Sequence, residues 1–180
     1  MVKAYIGLDV HKAQIVIGIA IVGGEVFNYG KCSSDVRVFL KALRKMLKKY
    51  GWTKEEVQLC YEAGPCGFPL ARHLLRIGFA VDVIAPSLIP SKSGDRVKTD
   101  RRDAKKLARL HRSGDLTAIH IPDESDEVIR DLCRARTDAV DDRTRAKQRL
   151  GAFLLRNGHH YTGRSNWTEP HHRYLLPLPI

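Results

Sequence analysis

Three β-type runs stand back to back at the start of this chain, and helical patterns begin only after them. Residues 4–10, 14–22 and 25–29 are rich in branched and aromatic side chains, and Gly23-Gly24 between the last two is a strong hairpin signal. The opening therefore reads as an antiparallel meander. Ser33 or Ser34 is then placed to cap a helix in which Val36, Phe39, Leu40, Leu43 and Leu47 recur at helical spacing, while Lys41, Arg44, Lys45 and Lys48 face elsewhere. That helix should end near Gly51. Residues 57–61 read as a strand, 68–77 as a helix closed by Gly78, and 79–84 as a strand ending before Pro86. A further helix starts at Thr99 or Asp100 and runs to about His111, with Leu107, Ala108 and Leu110 as its apolar side. The order is βββ-α-β-α-β-α.

After a linker at 122–126 comes a long helical pattern over 127–156, stopped by Asn157-Gly158 and about 45 Å long at ~1.5 Å per residue. Val128, Leu132, Ala135, Ala139, Ala146, Leu150 and Phe153 mostly follow three- and four-residue steps, with Asp142 interrupting the seam. This pattern fits a helical hairpin or a coiled-coil dimer arm, or a single helix packed on the first domain. The expected organisation is a domain over 1–121, the linker, an arm over 127–158 and an irregular tail over 159–180.

With 180 residues and 43% hydrophobic content, the chain can bury one ordinary core with an appendage. Lys and Arg number 31 against 20 Asp and Glu, a formal charge of +11, which favours polyanionic partners such as DNA or RNA. Cys32, Cys60, Cys66 and Cys133 form no CxxC pair, so neither a zinc module nor a secreted disulfide framework is indicated; reduced thiols in the cytoplasm are the simplest account. No apolar run approaches the ~20 residues needed to span a bilayer.

The chemistry lies in four carboxylates at element ends. Asp9 interrupts an apolar strand, where an uncompensated charge costs several kcal/mol; Glu62 directly follows the fourth strand; Asp100 and Asp103 share one face at a helix start. In a ribonuclease H-like arrangement the first and fourth strands are parallel neighbours, so Asp9 and Glu62 would meet in the crevice at their carboxyl ends. A helix packed over that crevice would add Asp100 and Asp103. Like charges so gathered need cations, and Mg²⁺, with Mn²⁺ as a substitute, is the expected cofactor; two such ions ~3.5–4 Å apart would serve phosphodiester chemistry. Each acid also has a plainer account: Asp9 as a hydrogen-bonded carboxylate, Glu62 as an ordinary strand end, Asp100 as a helix cap, Asp103 as a partner of the helix dipole. Between Lys92 and Arg112 nine cations surround three acids, and Lys98, Arg101, Arg102, Lys105, Lys106 and Arg109 form the expected phosphate-tracking surface. His11, two residues past Asp9, is in reach of the site or simply solvent-facing, and is left out of it.

Three segments carry a family resemblance: Gly7-Leu8-Asp9-Val10-His11-Lys12, Tyr61-Glu62-Ala63-Gly64-Pro65, and the run from Lys98 through Thr99, Asp100, Arg101, Arg102 and Asp103 to Ala108. With these the chain resembles the DEDD transposases of bacterial insertion sequences, and the likeness continues through Leu154-Leu155-Arg156-Asn157-Gly158 and Tyr161-Thr162-Gly163-Arg164-Ser165-Asn166-Trp167 to about Arg173. The resemblance implies an α/β, ribonuclease H-like (RuvC-like) domain with a mixed five-stranded sheet and flanking helices, followed by a helical coiled-coil arm that forms a homodimer or higher assembly. It implies that Asp9, Glu62, Asp100 and Asp103 are metal-binding acids, that DNA is the substrate, and that a structured guide RNA selects the target. Such recombinases also carry a downstream domain with a serine nucleophile. Nothing here matches it, so the expectation is a metal-dependent part that needs a second domain for recombination.

Two other classes fit parts of the sequence. One is a non-catalytic DNA- or RNA-binding and dimerisation module that regulates an intact transposase through the arm. The other is an actin-like kinase or ATPase, since Gly7-Leu8-Asp9 also opens that fold, although Val10 and His11 replace the glycine-rich phosphate turn it needs.

Overall fold

A computed structural model describes residues 1–90 and 100–178; of Asp100 and Arg101 it describes the backbone only. The chain divides into two compact units, one over 1–122 and one over 123–180.

The first unit is a mixed sheet in the order β3-β2-β1-β4-β5-β6. Its strands are β1 (Ala4–Val10), β2 (Gln14–Ile21), β3 (Val26–Ser33), β4 (Val57–Glu62), β5 (Ala80–Ile84) and β6 (Ala118–Ile119). β1 to β3 form the antiparallel meander, β4 runs parallel to β1, β5 parallel to β4, and β6 antiparallel to β5. The sheet thus has six strands, not five. Its sixth is a two-residue edge too short to leave any alternation in the sequence.

Side-chain alternation sends β1 and its neighbours to two different coverings. Ala4, Ile6 and Leu8 are fully buried in one core with Ile15, Ile17 and Ile19 of β2, with Phe39, Leu43 and Met46 of helix α1 (Val36–Tyr50), and with Ala71 and Leu74 of helix α2 (Pro69–Arg76). On the opposite face lies helix α3 (Asp100–Ser113), whose Ala104, Leu107, Ala108 and Leu110 are buried. Helix α1 is capped by Asp35 rather than by Ser33 or Ser34: its Oδ1 accepts from the N–H groups of Arg37 and Val38 at 2.9 and 3.1 Å. Ser33 instead completes β3, which runs four residues past the expected end at Tyr29. Gly51, at φ 66°, closes α1 in the left-handed conformation that glycine adopts without strain.

In the second unit α4 (Glu124–Arg156) is one continuous helix of 33 residues, about 50 Å long at ~1.5 Å per residue. It is not a hairpin. It starts inside the stretch expected to be a linker, because Asp123 accepts from the Asp126 N–H at 2.8 Å and Glu124, Asp126 and Glu127 place negative charge on its amino-terminal turn. The tail is not wholly irregular either: α5 (Glu169–Leu175) follows it, and His171 is buried with Leu154.

Candidate metal and nucleic-acid site

The β1–β4 ladder pairs Ile6 with Leu59, Gly7 with Cys60 and Leu8 with Tyr61. One further step sets Asp9 beside Glu62 at the carboxyl ends of adjacent parallel strands. Neighbours so paired share a face, and the face is fixed by contacts further back. Gly7 of β1 lies against α3, and the Cys60 thiol lies 3.9 Å from the Leu107 carbonyl. Asp9, two residues from Gly7, and Glu62, two from Cys60, therefore belong to the α3 side.

The direction of α3 brings its acids to the same end. Its His111 ring meets Tyr5 edge-on with centroids 5.1 Å apart, whereas Ala104 and Ala108 lie over Gly7. The helix consequently runs antiparallel to β1, and its first turn, with Asp100 and Asp103, lies toward the Asp9 end. Gly7 and Gly18 make this approach possible. A Cβ on Gly7 would stand 2.4 Å from Ala104 O and Ala108 N, and one on Gly18 would stand 2.5 Å from the carbonyl of Ala104. The other end of α3 is fastened by His111 to Asp82 at 2.9 Å, and by Arg112, which donates to the carbonyls of Ile21 at 2.6 Å and Gly24 at 2.8 Å. Gln58 also donates to Asp82, at 2.9 Å.

The acids differ in setting. Asp9 is about one-fifth exposed (19%) and its Oδ2 pairs with His11 Nε2 at 3.0 Å; Glu62 is exposed and Asp103 half-buried. The Asp100 side chain lies outside the described residues. The donor set is all carboxylate oxygen, which suits a hard divalent cation. Among the described residues no three His, Cys, Asp or Glu side chains stand close enough to hold one ion. Mg²⁺ is commonly held by one or two carboxylates with waters and substrate phosphate completing the shell, so donors of this kind at a shared strand end fit that ion without a closed protein cage.

Of the expected phosphate-tracking cations, Arg102, Lys105 and Arg109 are exposed and Lys106 half-buried on α3; Lys98 and the Arg101 side chain lie outside the described residues. Sequence reasoning left out His11, which pairs with Asp9, and overlooked Gly7 and Gly18. Glycines on adjacent strands, inside otherwise apolar β runs, were the available signal for a close backbone approach. Among the described residues no helix is long and apolar enough to cross a membrane.

A mixed sheet of this order with helices on both faces is consistent with a ribonuclease H-like domain of the DEDD transposase kind. A family model described as transposase, that of the IS110-type DEDD transposases, matches residues 6–157. The chain belongs to that family. It is 44% identical over 175 residues to a protein of Sinorhizobium fredii named as a putative transposase, y4qE, with 96% of this chain and 44% of that protein covered. It is 37% identical over 178 residues to the transposase for insertion sequence element IS1533 of Leptospira borgpetersenii, covering 98% of this chain and 51% of that one. The chain thus spans about half the length of these relatives.

Proposed function

We propose that this chain is the metal-dependent, nucleic-acid-processing part of an insertion-sequence transposase, acting on DNA. The observation that carries the reading is the convergence of Asp9 and Glu62, at adjacent parallel strand ends, with the amino-terminal turn of a helix that runs antiparallel to β1. Asp9, Glu62, Asp103 and Asp100 would share the holding of Mg²⁺, or Mn²⁺ in its place, one or two of them as direct ligands and the others through its waters. When bound, the ion would polarise a phosphodiester and lower the pKa of an attacking hydroxyl. The chain's own residues orient and exclude: the His11 imidazole holds one Asp9 oxygen, while Arg102, Lys105, Lys106 and Arg109 align the phosphate backbone beside the acids, with Lys98 and Arg101 assigned to the same surface from the sequence. Such contacts fix register without reading bases.

Further parts of the reading rest on family membership. A structured guide RNA is the second nucleic acid. Strand exchange needs a serine-bearing domain, in the same chain or another. Val128 and Leu132, about two-thirds exposed at 68% and 69%, support α4 as an arm that pairs with a second copy through a coiled coil. The cytoplasm is the compartment proposed.

The test is a Mn²⁺ titration followed by electron paramagnetic resonance at low salt, on the chain and its Asp9→Asn and Asp103→Asn variants, with and without a short DNA duplex. Saturable binding weakened at least about tenfold by each substitution is expected. Equal binding by all three proteins, duplex included, would remove the metal site.

A further inference from the structure

Helix α1 carries a second concentration of charge on the far side of the sheet from the acids. Between Val36 and Tyr50 it holds Arg37, Lys41, Arg44, Lys45, Lys48 and Lys49 and no acid, and these cations lie along its solvent side. Arg37, Lys41, Arg44 and Lys48 follow four-, three- and four-residue steps, so they form one stripe along the helix, about 16 Å from end to end at ~1.5 Å per residue. A solvated helix face ordinarily mixes signs. The nearest acids in sequence, Asp35 and Glu55, are an amino-terminal cap and a residue beyond the far end.

Aromatic rings gather where this stripe ends. Tyr50 stacks on Trp52 with centroids 4.6 Å apart and planes 17° from parallel, Tyr29 lies 6.4 Å from Tyr50, and Lys49 Nζ stands over both tyrosines at 5.8 and 5.3 Å. Trp52 also walls a groove of about 340 Å³ along α1, with an apolar floor that includes Leu43, Leu47 and Phe79 and with Arg44 and Lys54 among its lining. Lys54 Nζ donates to the Ile77 carbonyl at 3.3 Å. The volume lies at the small end of ligand-sized pockets, roughly 300–1,000 Å³.

We propose that the α1 face is a second nucleic-acid site, distinct from the acid site, which takes a single strand with its phosphates along the Arg37–Lys41–Arg44–Lys48 stripe and an unstacked base against Trp52. The chemistry is charge complementarity combined with ring stacking, the pairing that recognises single strands without regard to sequence. α1 and α3 cover opposite faces of the sheet, so the two sites hold separate strands or separate stretches of one. The inference rests on reading the chain as a nucleic-acid-processing protein. RNA and DNA single strands share this chemistry.

The test uses the full chain with the metal site silenced by chelator. Fluorescence anisotropy with short labelled uridine and thymidine homopolymers compares the wild type, Lys41→Glu/Arg44→Glu/Lys48→Glu on α1, and Lys105→Glu/Arg109→Glu on α3. Reversal on α1 should weaken single-strand binding at least about tenfold and flatten the log–log salt slope by about 2, at ~0.7 for each phosphate no longer neutralised. In a Trp167→Phe background, emission from Trp52 should be quenched on saturation. Preference for uridine or thymidine would identify RNA or DNA as the strand held. Unchanged affinity in the α1 variant with an unquenched Trp52, while the α3 variant loses binding, would overturn this inference and leave the proposed function standing. Unchanged binding in both variants would overturn this inference and the phosphate-tracking role of α3, and leave the metal site to its own titration. Equal weakening toward a duplex, with no quenching, would overturn the single-strand assignment. Circular dichroism melts guard against misfolding, and the substituted α1 positions are all on the surface.

Discussion

Gly7→Ala should weaken the proposed metal binding without touching any proposed ligand. The new Cβ would stand 2.4 Å from Ala104 O and Ala108 N, where ordinary contact begins at 3.4 Å, and both obstacles are backbone. Neither can turn aside as a side chain would, so α3 must retreat by about 1 Å or β1 must bend. Overpacking of this kind costs about 1–3 kcal/mol, which lowers the melting temperature of a domain this size by several degrees. The same retreat carries Asp103 away from Asp9 and Glu62. Disturbing the support behind metal ligands commonly costs about 10–100-fold in affinity, and that is the loss expected in the Mn²⁺ titration. Thermal melts and titrations of Gly7→Ala beside Gly18→Ala make the assay, since a Cβ on Gly18 would stand 2.5 Å from the same turn of α3. If both variants melted with the wild type and bound Mn²⁺ as well, α3 would not be seated on the glycines as described. If they lost stability but kept full Mn²⁺ affinity, Asp103 would not belong to the site.

Gly151 sits inside α4 with nothing within 4 Å of an added Cβ, so Gly151→Ala should stabilise the helix by about 0.5–1 kcal/mol, visible in a melt. Asp35→Ala should cost about 1 kcal/mol in chemical denaturation by leaving the first-turn amides of α1 without their carboxylate partner. Cys66 and Cys133 are exposed and should react with a thiol reagent in the folded protein, whereas Cys60, fully buried, should react only on unfolding. Burial first, with the Asp82 charge adding to it, pushes the Cys60 thiol well above its ordinary value. The folded chain therefore binds that proton more tightly, and its contribution to stability is full below ~8.5 and falls as pH rises beyond it, so Cys60→Ala should flatten the alkaline limb of a pH–stability curve. Glu56 shows the opposite sign: the hydrogen bond from Lys3, then that from the Thr53 N–H, hold its carboxyl below the usual range. Its contribution is present above ~4.3 and is lost as pH falls, so Glu56→Gln should lessen the acid sensitivity of the melt.

The layout of the first unit was legible because its two periods differ plainly and glycines mark the joins. Residues 4–22 alternate or run apolar with period two, Val36 to Leu47 repeats at three and four, and Gly51 and Gly78 stand past the ends of α1 and α2. What escaped depends on partners remote in sequence. The end of β3 is set by pairing with β2 across an irregularity near Ile17 and Gly18, which carries Lys31 to Ser33 into the ladder without any alternation of their own. That displaces the cap from the serines to Asp35. The start of α4 is hidden in the sequence because acids following a proline look like a linker, whereas in the first turn after Asp123 they stand where a helix dipole favours them. At the site, Asp9 and Glu62 were legible as charges at the ends of apolar strands. The side of the sheet on which they meet α3 was not, because it depends on bare backbone at Gly7 and Gly18, where no side chain advertises a contact.

Anyone attaching a fluorophore or affinity tag to this protein would be drawn to the exposed turn at Gly23 and Gly24. Arg112 grips that turn, through the carbonyls of Ile21 and Gly24, and Arg112 stands nine residues along α3 from Asp103, about 13.5 Å at ~1.5 Å per residue. An insertion in the hairpin would therefore break the two hydrogen bonds that fasten the carboxyl end of α3, so the turn that looks most permissive is tied to the helix that carries Asp103.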